Sequence, residues 1–525
     1  MKNQISDIII HHLHSLLLLV LVGICTQQAF SQSINAYQPP AFTDASRMQK
    51  IEAAFPVIDS VFHAYALQQH FPGIAYGLVV DGQLVHSGAF GYTDVEKKTP
   101  ATTNSLFRIA SMTKSLTAMA ILKLRDEGKL QLDDPAYKYI PEMKNLHYLT
   151  TDAPPITIRN LLTHAAGFPE DNPWGDRQLQ DSDSELIALV NKGISFSNAP
   201  GVAYEYSNLG FTLLGHIVSE VSRMPYEEYI TKNILQPLRM QHTEWEYTKV
   251  PAPQLAYGYR WLNEQWVAQP MLHDGAYGAM GGLITSITDF SKYVALHQTA
   301  YPPSDAKDNG PVKRSDLREM QHPWNINTLS PTFTYPGGRI CPAVTAYCYG
   351  LRWMKDCDER VYVGHTGGLP GFGSNWQILP QYGIGIMSFA NLTYASTSTV
   401  NLQVLDTLIA LAQLKPRQLP PSPILQQRRD ELMKILPGWN EAQSSGIFAE
   451  NFFMDYPLDS LKKEAQAAFA DAGKIIKTDD VTPENNLRGA FTIEGEKKNV
   501  EVKFTLTPEN PPLIQEYHIK AVAKP

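Results

Sequence analysis

Charged residues and cysteines are scarce in this chain of 525 residues. Only 18% of the residues are charged, and 52 acidic against 44 basic side chains give a net charge of -8. Since there is no basic surplus, the composition argues against nucleic-acid binding. The hydrophobic content of 43% is that of an ordinary globular protein. A chain of this length predicts two or three folded units.

The motifs of several other enzyme classes are absent. The chain has no Gly-x-Ser-x-Gly nucleophile elbow, no glycine-rich phosphate loop and no His-Glu-x-x-His pair. These absences argue against an α/β-hydrolase, a P-loop nucleotide enzyme and a zinc protease. Cysteine and histidine also lack the spacing of a metal site, so we expect neither a metal nor a cofactor.

Long apolar runs are confined to the first residues. Lys2 precedes an apolar run over Leu16–Ile24, and Ala29-Phe30-Ser31 offers the small residues that a signal peptidase requires. The run is too short to span a bilayer comfortably. We therefore expect residues 1–31 to be a cleaved signal peptide, with an uncleaved anchor as the alternative. The mature protein is then periplasmic or secreted and has no stable membrane span.

Three of the four cysteines, Cys341, Cys348 and Cys357, follow the predicted signal peptide. An export compartment permits disulfides, and a Cys341–Cys348 bond across a Pro-containing loop is the first choice. The third thiol then has no partner. We expect structural rather than catalytic cysteines.

The segment 32–414 is predicted to be one domain. Gly73–Val80 and Gln83–Phe90 are predicted strands joined by a hairpin turn at Asp81-Gly82. Apolar residues recur at helical spacing from Ser111 to Leu124. Strands at both ends with helices between them predict an α/β fold, in which distant segments complete one antiparallel sheet around an inserted helical subdomain. The other predictions are an N-terminal helix over Ile51–Gln69, strands over Tyr349–Lys355, Arg360–Val363, Ser374–Leu379 and Ile384–Ala390, and a last helix over Leu402–Leu414.

The segment 415–423 is rich in proline and is predicted to be a stiff linker. The remaining residues, 424–525, predict a small α+β domain with a helix capped by Asp459 and a half-buried strand over Val500–Leu506. This domain has no catalytic constellation. We expect a docking, regulatory or dimerisation role, and a homo-oligomer formed through it is one option.

Ser111 and Lys114 are the first candidate catalytic pair. Residues three apart lie on one face of a helix, so the lysine amine can reach the serine hydroxyl. A lysine whose pKa is lowered by burial can take the proton of that hydroxyl and make it a nucleophile. The pattern is weak by itself, because two more copies begin at Ser304 and Ser460. Only the copy at Ser111 leads directly into an apolar amphipathic helix.

Tyr206-Ser207-Asn208 is the second candidate element. A phenol near a cation can share the general-base role, and an amide side chain can orient the lysine and a substrate carbonyl. A lone Tyr-x-Asn is equally consistent with a buried tyrosine at a helix entrance, but the run from Tyr204 to Gly215 is much less expected by chance. His164, by contrast, is interpreted as a structural histidine at a helix start.

His365-Thr366-Gly367-Gly368 is the third element, and we expect it to bind substrate at the end of a strand. The histidine could hydrogen-bond Tyr206, bind a substrate carboxylate or modulate the base. The glycines let substrate approach the backbone. The N–H of Gly368 could pair with that of Ser111 as an oxyanion hole.

Together these elements resemble the serine β-lactamase-related family from about Ile51 to Leu414. That family includes class C β-lactamases, D-alanyl-D-alanine carboxypeptidases, D-aminopeptidases and family VIII esterases. The resemblance implies a sheet flanked by helices with an all-helical subdomain framing the site. It also implies that Ser111 is the nucleophile, that Lys114 and Tyr206 form the base system, and that the third element lines the site. Asn208 is then the orienting residue. The matching stretches are Leu106–Ser111, Ile158–His164, Tyr206–Asn208, Gly278–Leu283 and Gly364–Gly368.

The third element departs from that of the family's β-lactamases, which usually carry Lys-Thr-Gly where this chain has His365-Thr366-Gly367. A neutral histidine attracts a substrate carboxylate less than a permanent ammonium does, so efficient β-lactam turnover is not expected. The resemblance implies acyl-enzyme hydrolysis of an ester, an amide or a D-amino-acid peptide, by an esterase, D-peptidase or weak β-lactamase. The alternative is a penicillin-binding or peptidoglycan-sensing protein without turnover. In both cases the partner is a small-molecule or peptidoglycan-like substrate.

Overall fold

The computed structural model describes residues 37–524, which form two compact units. One consists of residues 44–416, and the other of residues 417–524 with the segment 37–43. The predicted signal peptide lies outside the described residues, and the predicted domain limits stay predictions. Among residues 37–524 no helix combines the length and the apolar character needed to cross a membrane.

The strands of the described residues are, in chain order, β1 (Gly73–Val80), β2 (Gln83–Asp94), β3 (Thr99–Pro100), β4 (Phe107–Arg108), β5 (Tyr259–Leu262), β6 (Gln265–Ala268), β7 (Ile284–Thr285), β8 (Asn325–Ser330), β9 (Ala343–Tyr347), β10 (Arg352–Asp356), β11 (Val361–Leu369), β12 (Phe372–Leu379), β13 (Ile384–Ala390), β14 (Ile475–Thr478), β15 (Thr482–Asn485), β16 (Arg488–Gly495), β17 (Asn499–Leu506) and β18 (Ile514–Val522).

The α-helices of the same part of the chain are α1 (Arg47–Ala53), α2 (Phe55–Gln68), α3 (Lys114–Asp126), α4 (Ile158–Leu162), α5 (Asn172–Gly175), α6 (Asp183–Lys192), α7 (Asn208–Ser222), α8 (Tyr226–Ile230), α9 (Gly278–Gly281), α10 (Ile287–Gln298), α11 (Arg314–Met320), α12 (Thr397–Leu411), α13 (Pro423–Ile435), α14 (Phe452–Asp455) and α15 (Leu458–Ala472).

A nine-stranded antiparallel sheet forms the centre of the larger unit. Its strand order is β3-β2-β1-β13-β12-β11-β10-β9-β8, so strands from both ends of the unit meet at the β1–β13 pair. β1 is buried at every position because it is paired on both sides and covered on both faces. The predicted bounds of β1 and β13 are those of the structure. The insertion between β3 and β8 is largely helical, which confirms the predicted α/β class with its helical subdomain.

Helices cover both faces of this sheet. On one face, Phe62 of α2 and Leu405 of α12 belong to one apolar cluster. On the other face, Phe290 of α10 belongs to a second cluster that continues into the helical region. Side chains alternate along each strand, which divides them between the two clusters. Met112 belongs to the second cluster, so the turn that carries Ser111 lies on the α10 face.

Two predicted helices begin differently in the structure. The helix expected over Ile51–Gln69 is a pair, α1 and α2, because Pro56 lacks an amide hydrogen and suits the first turn of a new helix. The helix expected from Ser111 begins at Lys114, after a tighter 3₁₀ turn over Ala110–Thr113. Ser111 therefore lies on this turn and not on the helix.

The disulfide joins Cys341 to Cys357, so the predicted Cys341–Cys348 bond is wrong. β9 lies between Cys341 and Cys348, and a strand rises about 3.3 Å per residue, which carries those two thiols roughly 20 Å apart. β10 then returns antiparallel to β9, and the pairing of Asp356 with Ala343 brings Cys357 back beside Cys341. Cys348 is a buried free thiol.

The smaller unit has its own sheet and its own core. β16, β17 and β18 pair in succession, and β14 and β15 both pair with β16. Apolar residues alternate along the central strands, so Phe491, Val502 and Phe504 point into one cluster that α13 and α15 complete. The strand predicted over Val500–Leu506 is confirmed as part of β17.

Two predicted features of the smaller unit are corrected. α15 begins at Leu458, so Asp459 lies in the first turn of the helix and does not cap it. α13 begins at Pro423, the last residue of the predicted linker, with the Ser422 side chain as its cap. Proline suits this position because its missing N–H would have no partner in the first helical turn.

Candidate active site

Ser111 lies on the 3₁₀ turn that precedes α3 and is 7% exposed. The preceding residue, Ala110, has a positive φ of 51°, which residues with a Cβ rarely adopt. Two hydrogen bonds hold the turn. Thr113 Oγ1 donates to the Ala110 carbonyl at 2.7 Å, and Ser374 Oγ of β12 donates to the Ile109 carbonyl at 2.6 Å. Backbone strain that is held in this way is typical of functional positions.

Lys114 is the first residue of α3 and is fully buried. Its Nζ donates to Ser111 Oγ at 3.0 Å and to Asn208 Oδ1 at 2.7 Å. A third bond goes to the Met280 carbonyl of α9 at 3.0 Å. Burial lowers the pKa of Lys114 to about 7, although nearby carboxylates oppose the shift. Much of the amine is therefore neutral at physiological pH, and the neutral form can accept the proton of Ser111.

Asn208 is the first residue of α7, and its side chain is fixed at both ends. The Asp171 carboxylate accepts from the N–H groups of Asn208 at 2.6 Å and Leu209 at 2.9 Å, which caps the helix. Asn208 Nδ2 donates to Asn172 Oδ1 at 3.2 Å. This bond directs the amide oxygen of Asn208 towards the amine of Lys114, as expected of an orienting residue.

Tyr206 lies beside the same amine. Lys114 Nζ is 5.0 Å from the centroid of the Tyr206 ring. Burial raises the pKa of the phenol, and the Arg352 guanidinium and the Ser111 hydroxyl act in the opposite direction. Tyr206 is therefore a neutral phenol at physiological pH, which can donate a hydrogen bond. Of the two residues predicted to form the base system, Lys114 is the one whose pKa suits a base.

His365 lies in the middle of β11 and not at the end of a strand as predicted. Its Nδ1 is 2.5 Å from the Thr366 carbonyl oxygen, which can only accept, so Nδ1 carries the proton. Nε2 then accepts from the Tyr347 hydroxyl at 3.0 Å. Tyr347 thus takes the place of Tyr206, the hydrogen-bond partner that the sequence had suggested.

The imidazole of His365 is uncharged. The side chain is 1% exposed, and burial together with the charges of Arg352 and Lys114 holds the pKa of His365 well below its usual range. Both ring nitrogens are also occupied by protein partners. His365 therefore offers neither a positive charge nor a free N–H to a substrate carboxylate.

The two glycines of the third element let β11 pass close to its neighbours. A Cβ at Gly367 would overlap the Ile109 carbonyl and the Ser374 hydroxyl, both of which belong to the support of the Ser111 turn. A Cβ at Gly368 would lie 2.8 Å from the Tyr394 ring. Gly367 therefore sets the distance between β11 and the nucleophile turn, while the oxyanion pairing of Gly368 stays a prediction.

Thr366 lies on the opposite face of β11 from Gly367, because side chains alternate along a strand. With His365 and Arg352 it lines a cavity of about 470 Å³. Neither Ser111 nor Lys114 is among the described residues that line this cavity. The cavity that Thr366 lines is thus not one that Ser111 or Lys114 lines.

His164 is a structural neighbour of the catalytic candidates, but its place in the fold differs from the one interpreted. It follows α4 at a φ of 55°, so it does not stand at a helix start as interpreted. Its ring centroid lies 4.3 Å from those of Tyr206 and Tyr347. Its Nδ1 accepts from the Ser207 N–H at 3.1 Å. His164 thereby holds the segment between Tyr206 and Asn208 in place.

Asp176 is a buried carboxylate that the sequence did not single out. Tyr394 donates its hydroxyl to Asp176 Oδ2 at 2.9 Å. Burial raises the pKa of Asp176 to about 7, and its negative charge in turn raises the pKa of Lys114. Asp176 lies in a loop without hydrophobic periodicity, so only the fold reveals its position near the amine.

The other two Ser-x-x-Lys copies have none of these surroundings. Ser304 is exposed in a loop, where its Oγ accepts from Arg314 at 2.5 Å. Ser460 is exposed on α15. The structure thus separates Ser111 from both copies by burial and by the contacts of its lysine.

Two curated relatives match a large part of the chain. Protein flp of Staphylococcus aureus (strain COL) is 29% identical over 337 residues, which are 64% of this chain and 62% of the relative. Penicillin-binding protein 4* of Bacillus subtilis (strain 168) is 28% identical over 315 residues, which are 55% of this chain and 62% of the relative. The chain therefore spans somewhat less than two thirds of the length of each relative.

Solved structures show the same fold. A penicillin-binding protein homologue from Pyrococcus abyssi, described as octameric, has a TM-score of 0.57 and 23% identity, and the match covers 89% of this chain and 96% of that one. A class C β-lactamase has a TM-score of 0.54 and 20% identity, with 70% of this chain and 99% of that one covered. The family model described as "Beta-lactamase" matches residues 49–410, which is more than half of the sequence. The chain belongs to the beta-lactamase family.

Proposed function

We propose that the protein is a serine hydrolase that forms an acyl-enzyme at Ser111 from an ester, an amide or a D-amino-acid peptide. Membership of the beta-lactamase family supports the coarser statement, that of a serine acyl-enzyme hydrolase or a penicillin-binding protein. The observation that carries the proposal is the buried amine of Lys114, whose pKa is about 7 and whose Nζ lies 3.0 Å from Ser111 Oγ.

The proposed reaction begins with proton transfer from the Ser111 hydroxyl to neutral Lys114. Ser111 Oγ then forms a bond to the substrate carbonyl carbon, and the electron pair of the carbonyl moves onto its oxygen. When that pair returns, the bond to the leaving oxygen or nitrogen breaks. The leaving atom takes a proton from the Lys114 ammonium, and the Tyr206 phenol donates a hydrogen bond to it. Water repeats the sequence on the acyl-enzyme and releases the acid and free Ser111.

The charge of the site favours some substrates over others. The third element contributes an uncharged His365 where a lysine would contribute an ammonium. We therefore propose that β-lactams are turned over weakly in comparison with esters or D-peptides. A panel of these three substrate types with the purified protein ranks them directly, and a β-lactam that is the fastest substrate would contradict this order.

Ser111→Ala is the decisive variant. A fluorophosphonate or fluorescent-penicillin probe should label the wild-type protein, and the variant should show neither labelling nor hydrolysis. Ser304→Ala is the matched control, because it removes a serine from another Ser-x-x-Lys copy, one that is exposed. Equal labelling of wild type and Ser111→Ala would refute the proposal.

A second candidate function is a penicillin-binding or peptidoglycan-sensing protein that is acylated without turnover. The uncharged His365 and the presence of a second unit without a comparable site favour it. Burst labelling without steady hydrolysis of esters and D-peptides would support this function. Sustained turnover of any of them would eliminate it.

We propose that the protein is periplasmic or secreted. The apolar N-terminal segment with small residues near position 31 supports this location. The N-terminal sequence of the protein purified from its native host tests the proposal, since cleavage should place the first residue at or near position 32. Retention of Met1 on a cytoplasmic protein would contradict it.

We also propose a homo-oligomer. The similarity to a penicillin-binding protein homologue described as octameric covers 89% of this chain, which supports the proposal. Light scattering of the purified protein gives its mass directly. A mass near the 58.6 kDa of the full chain, or slightly less after signal cleavage, would contradict it.

A further inference from the structure

Tyr394, in the loop between β13 and α12, lies between the third element and solvent. Its ring lies against Gly368, where an added Cβ would be 2.8 Å from a ring carbon. Tyr394 is 47% exposed, whereas Ser111 is 7% exposed and Asn208 is fully buried. One face of the ring therefore meets water while the other covers Gly368, so the ring is part of the wall that separates the site from solvent.

The hydroxyl of Tyr394 is tied to a second wall of the site. It donates to Asp176 Oδ2 at 2.9 Å. Asp176 directly follows α5 and is 1% exposed. Its neighbour Gly175 packs against Asn208, because an added Cβ at Gly175 would lie 2.9 Å from the Asn208 Cβ. The Tyr394–Asp176 bridge therefore connects the strand that carries the third element with the segment beside Asn208.

Both ends of this bridge are held in place. Tyr394 has a positive φ of 52°, and its N–H donates to the Phe372 carbonyl at 3.1 Å. The N–H of Thr393 donates to the Tyr259 carbonyl at 2.7 Å. At the other end, Tyr394 is the recorded donor to the Asp176 side chain within residues 37–524. Because a hydrogen bond to a carboxylate is stronger than one between neutral groups, the bridge keeps the ring in its position.

The bridge lies at one end of the third element. In the proposed reaction Tyr206 donates to the leaving atom, and its ring centroid lies 6.2 Å from that of His365. The leaving portion of a substrate therefore points to the His365 end of the element. The acyl portion extends from the carbonyl carbon in the other direction, towards Gly368, which lies about 10 Å further along β11. The bridge thus closes the acyl end of the site.

We propose that Tyr394 is a specificity-determining residue that restricts the acyl portion of the substrate to a short group, and that Asp176 is the positioning residue that holds it. This inference rests on the proposed function. It narrows the substrate class to acyl donors with few atoms beyond the scissile carbonyl, such as an acetyl ester or the amide of a single small amino acid. A longer acyl chain has to displace the ring and break its bond to Asp176.

The first test compares p-nitrophenyl acetate with p-nitrophenyl octanoate, which share a leaving group and differ in the length of the acyl chain. The variants of the full chain are Tyr394→Ala, Tyr394→Phe, Asp176→Ala and Asp176→Asn. Tyr37→Ala is the control, because Tyr37 is another exposed tyrosine and lies outside the larger unit. The quantity compared is the ratio of kcat/KM for the acetate to kcat/KM for the octanoate. A shift in the pKa of Lys114 affects both esters equally and cancels in this ratio.

For the wild type we expect a ratio of about 10 to 100, the range for forcing extra methylene groups into filled space. Tyr394→Ala should reduce the ratio to near one, mainly through faster hydrolysis of the octanoate. Tyr394→Phe and Asp176→Ala should reduce it in part, because the ring remains but is no longer held. Asp176→Asn should keep the ratio, since its amide oxygen still accepts from the phenol, and so should Tyr37→Ala. A wild type without preference for the acetate, or a Tyr394→Ala variant that keeps the preference, would overturn the inference.

Protection of Ser111 from a fluorophosphonate probe separates this inference from the proposed function, and it decides the inference if neither ester is hydrolysed. The protecting compounds are methylboronic acid and octylboronic acid, which bind a serine hydroxyl without turnover. Octylboronic acid should protect Tyr394→Ala at about one tenth of the concentration that the wild type requires, and methylboronic acid should protect both alike. If the probe labels Ser111 and octylboronic acid protects both proteins equally, the role of Tyr394 is refuted while the serine hydrolase stands. If the probe does not label Ser111, the proposed function fails, and the inference fails with it.

Discussion

The two compact units differ in what they bury. The larger unit encloses buried polar side chains, among them Lys114, Asn208 and His365; Lys114 donates to Asn208, and Lys114 and His365 both lie near the Tyr206 ring. Within residues 417–524 the buried polar side chains are Arg428, Thr505 and Thr507, and the rest of the core is apolar. Because a buried polar group costs free energy unless it is well paired, a concentration of them marks chemistry and not stability. The core of the smaller unit shows no such concentration among its described residues.

Removal of the amine at the centre of the polar group should have the largest effect. Lys114→Met should lower kcat/KM by about three orders of magnitude, because it removes the proposed general base. The midpoint of thermal unfolding should change little. The variant no longer pays the free-energy cost of burying an amine, but it also loses the hydrogen bonds of that amine to Asn208 and to the Met280 carbonyl, and the two effects offset each other.

Steady-state kinetics and calorimetry of the same sample measure both quantities. Lys307→Met is the control, because it removes the exposed lysine of another Ser-x-x-Lys copy. Activity of Lys114→Met within tenfold of the wild type would show that another group takes the proton of Ser111. The concentration of buried polar side chains in the larger unit would then not mark the general base.

The pH dependence of acylation should also be set by the Lys114 amine, and a change in it should have a smaller effect than the removal of the amine. Burial lowers the pKa of Lys114 to about 7, so the ammonium dominates below that pH and the rate should fall as the pH decreases. Asp176 raises this pKa through its negative charge. Asp176→Asn should therefore move the acidic limb of the profile to lower pH, by up to about one unit.

The rate of probe labelling, measured from pH 5 to 9, gives the position of the acidic limb of the pH–rate profile. Asp152→Asn removes one charge from an exposed loop and should leave the limb in place. A limb that moves to higher pH in Asp176→Asn would reverse the sign of the proposed interaction. An unchanged limb would show that Lys114 does not control it.

Local pattern was sufficient to predict much of this protein. The run from Gly73 to the turn residues Asp81-Gly82 predicted β1 with its bounds, and the order of the three motifs predicted which serine is buried beside a lysine. The strand depends on neighbours in the sequence, and each motif is a short local pattern whose order along the chain is read directly. The hydrophobic pattern of Val500–Leu506 likewise predicted a strand, because alternation is imposed by the strand itself.

Features that depend on pairing between distant segments could not be predicted in this way. Cys341 finds Cys357 only because β9 and β10 turn back on each other. His365 binds Tyr347 and not Tyr206 because β9 and β11 flank the same strand. Arg352 belongs to no motif, so only the sheet register places its charge near Tyr206.

The smallest effect on the chemistry should come from damage to the core of the smaller unit. Phe504 is fully buried there, and Phe504→Ala should cost about 3–5 kcal/mol of unfolding free energy through the cavity that it leaves. Probe labelling of Ser111 should nevertheless stay at the wild-type rate. Calorimetry should show a lower transition temperature for one of two transitions.

Phe389→Ala is the matched variant in the larger unit, since Phe389 is also fully buried. Phe389→Ala should cost a similar unfolding free energy but lower the temperature of the other transition. Labelling of Ser111 should fall at temperatures where the larger unit unfolds. Because the same atoms are removed from two apolar cores, any difference in labelling comes from the unit that contains Ser111. A loss of labelling in Phe504→Ala at temperatures below both transitions would show that the smaller unit takes part in the chemistry. A single transition in every variant would show that the two units unfold as one.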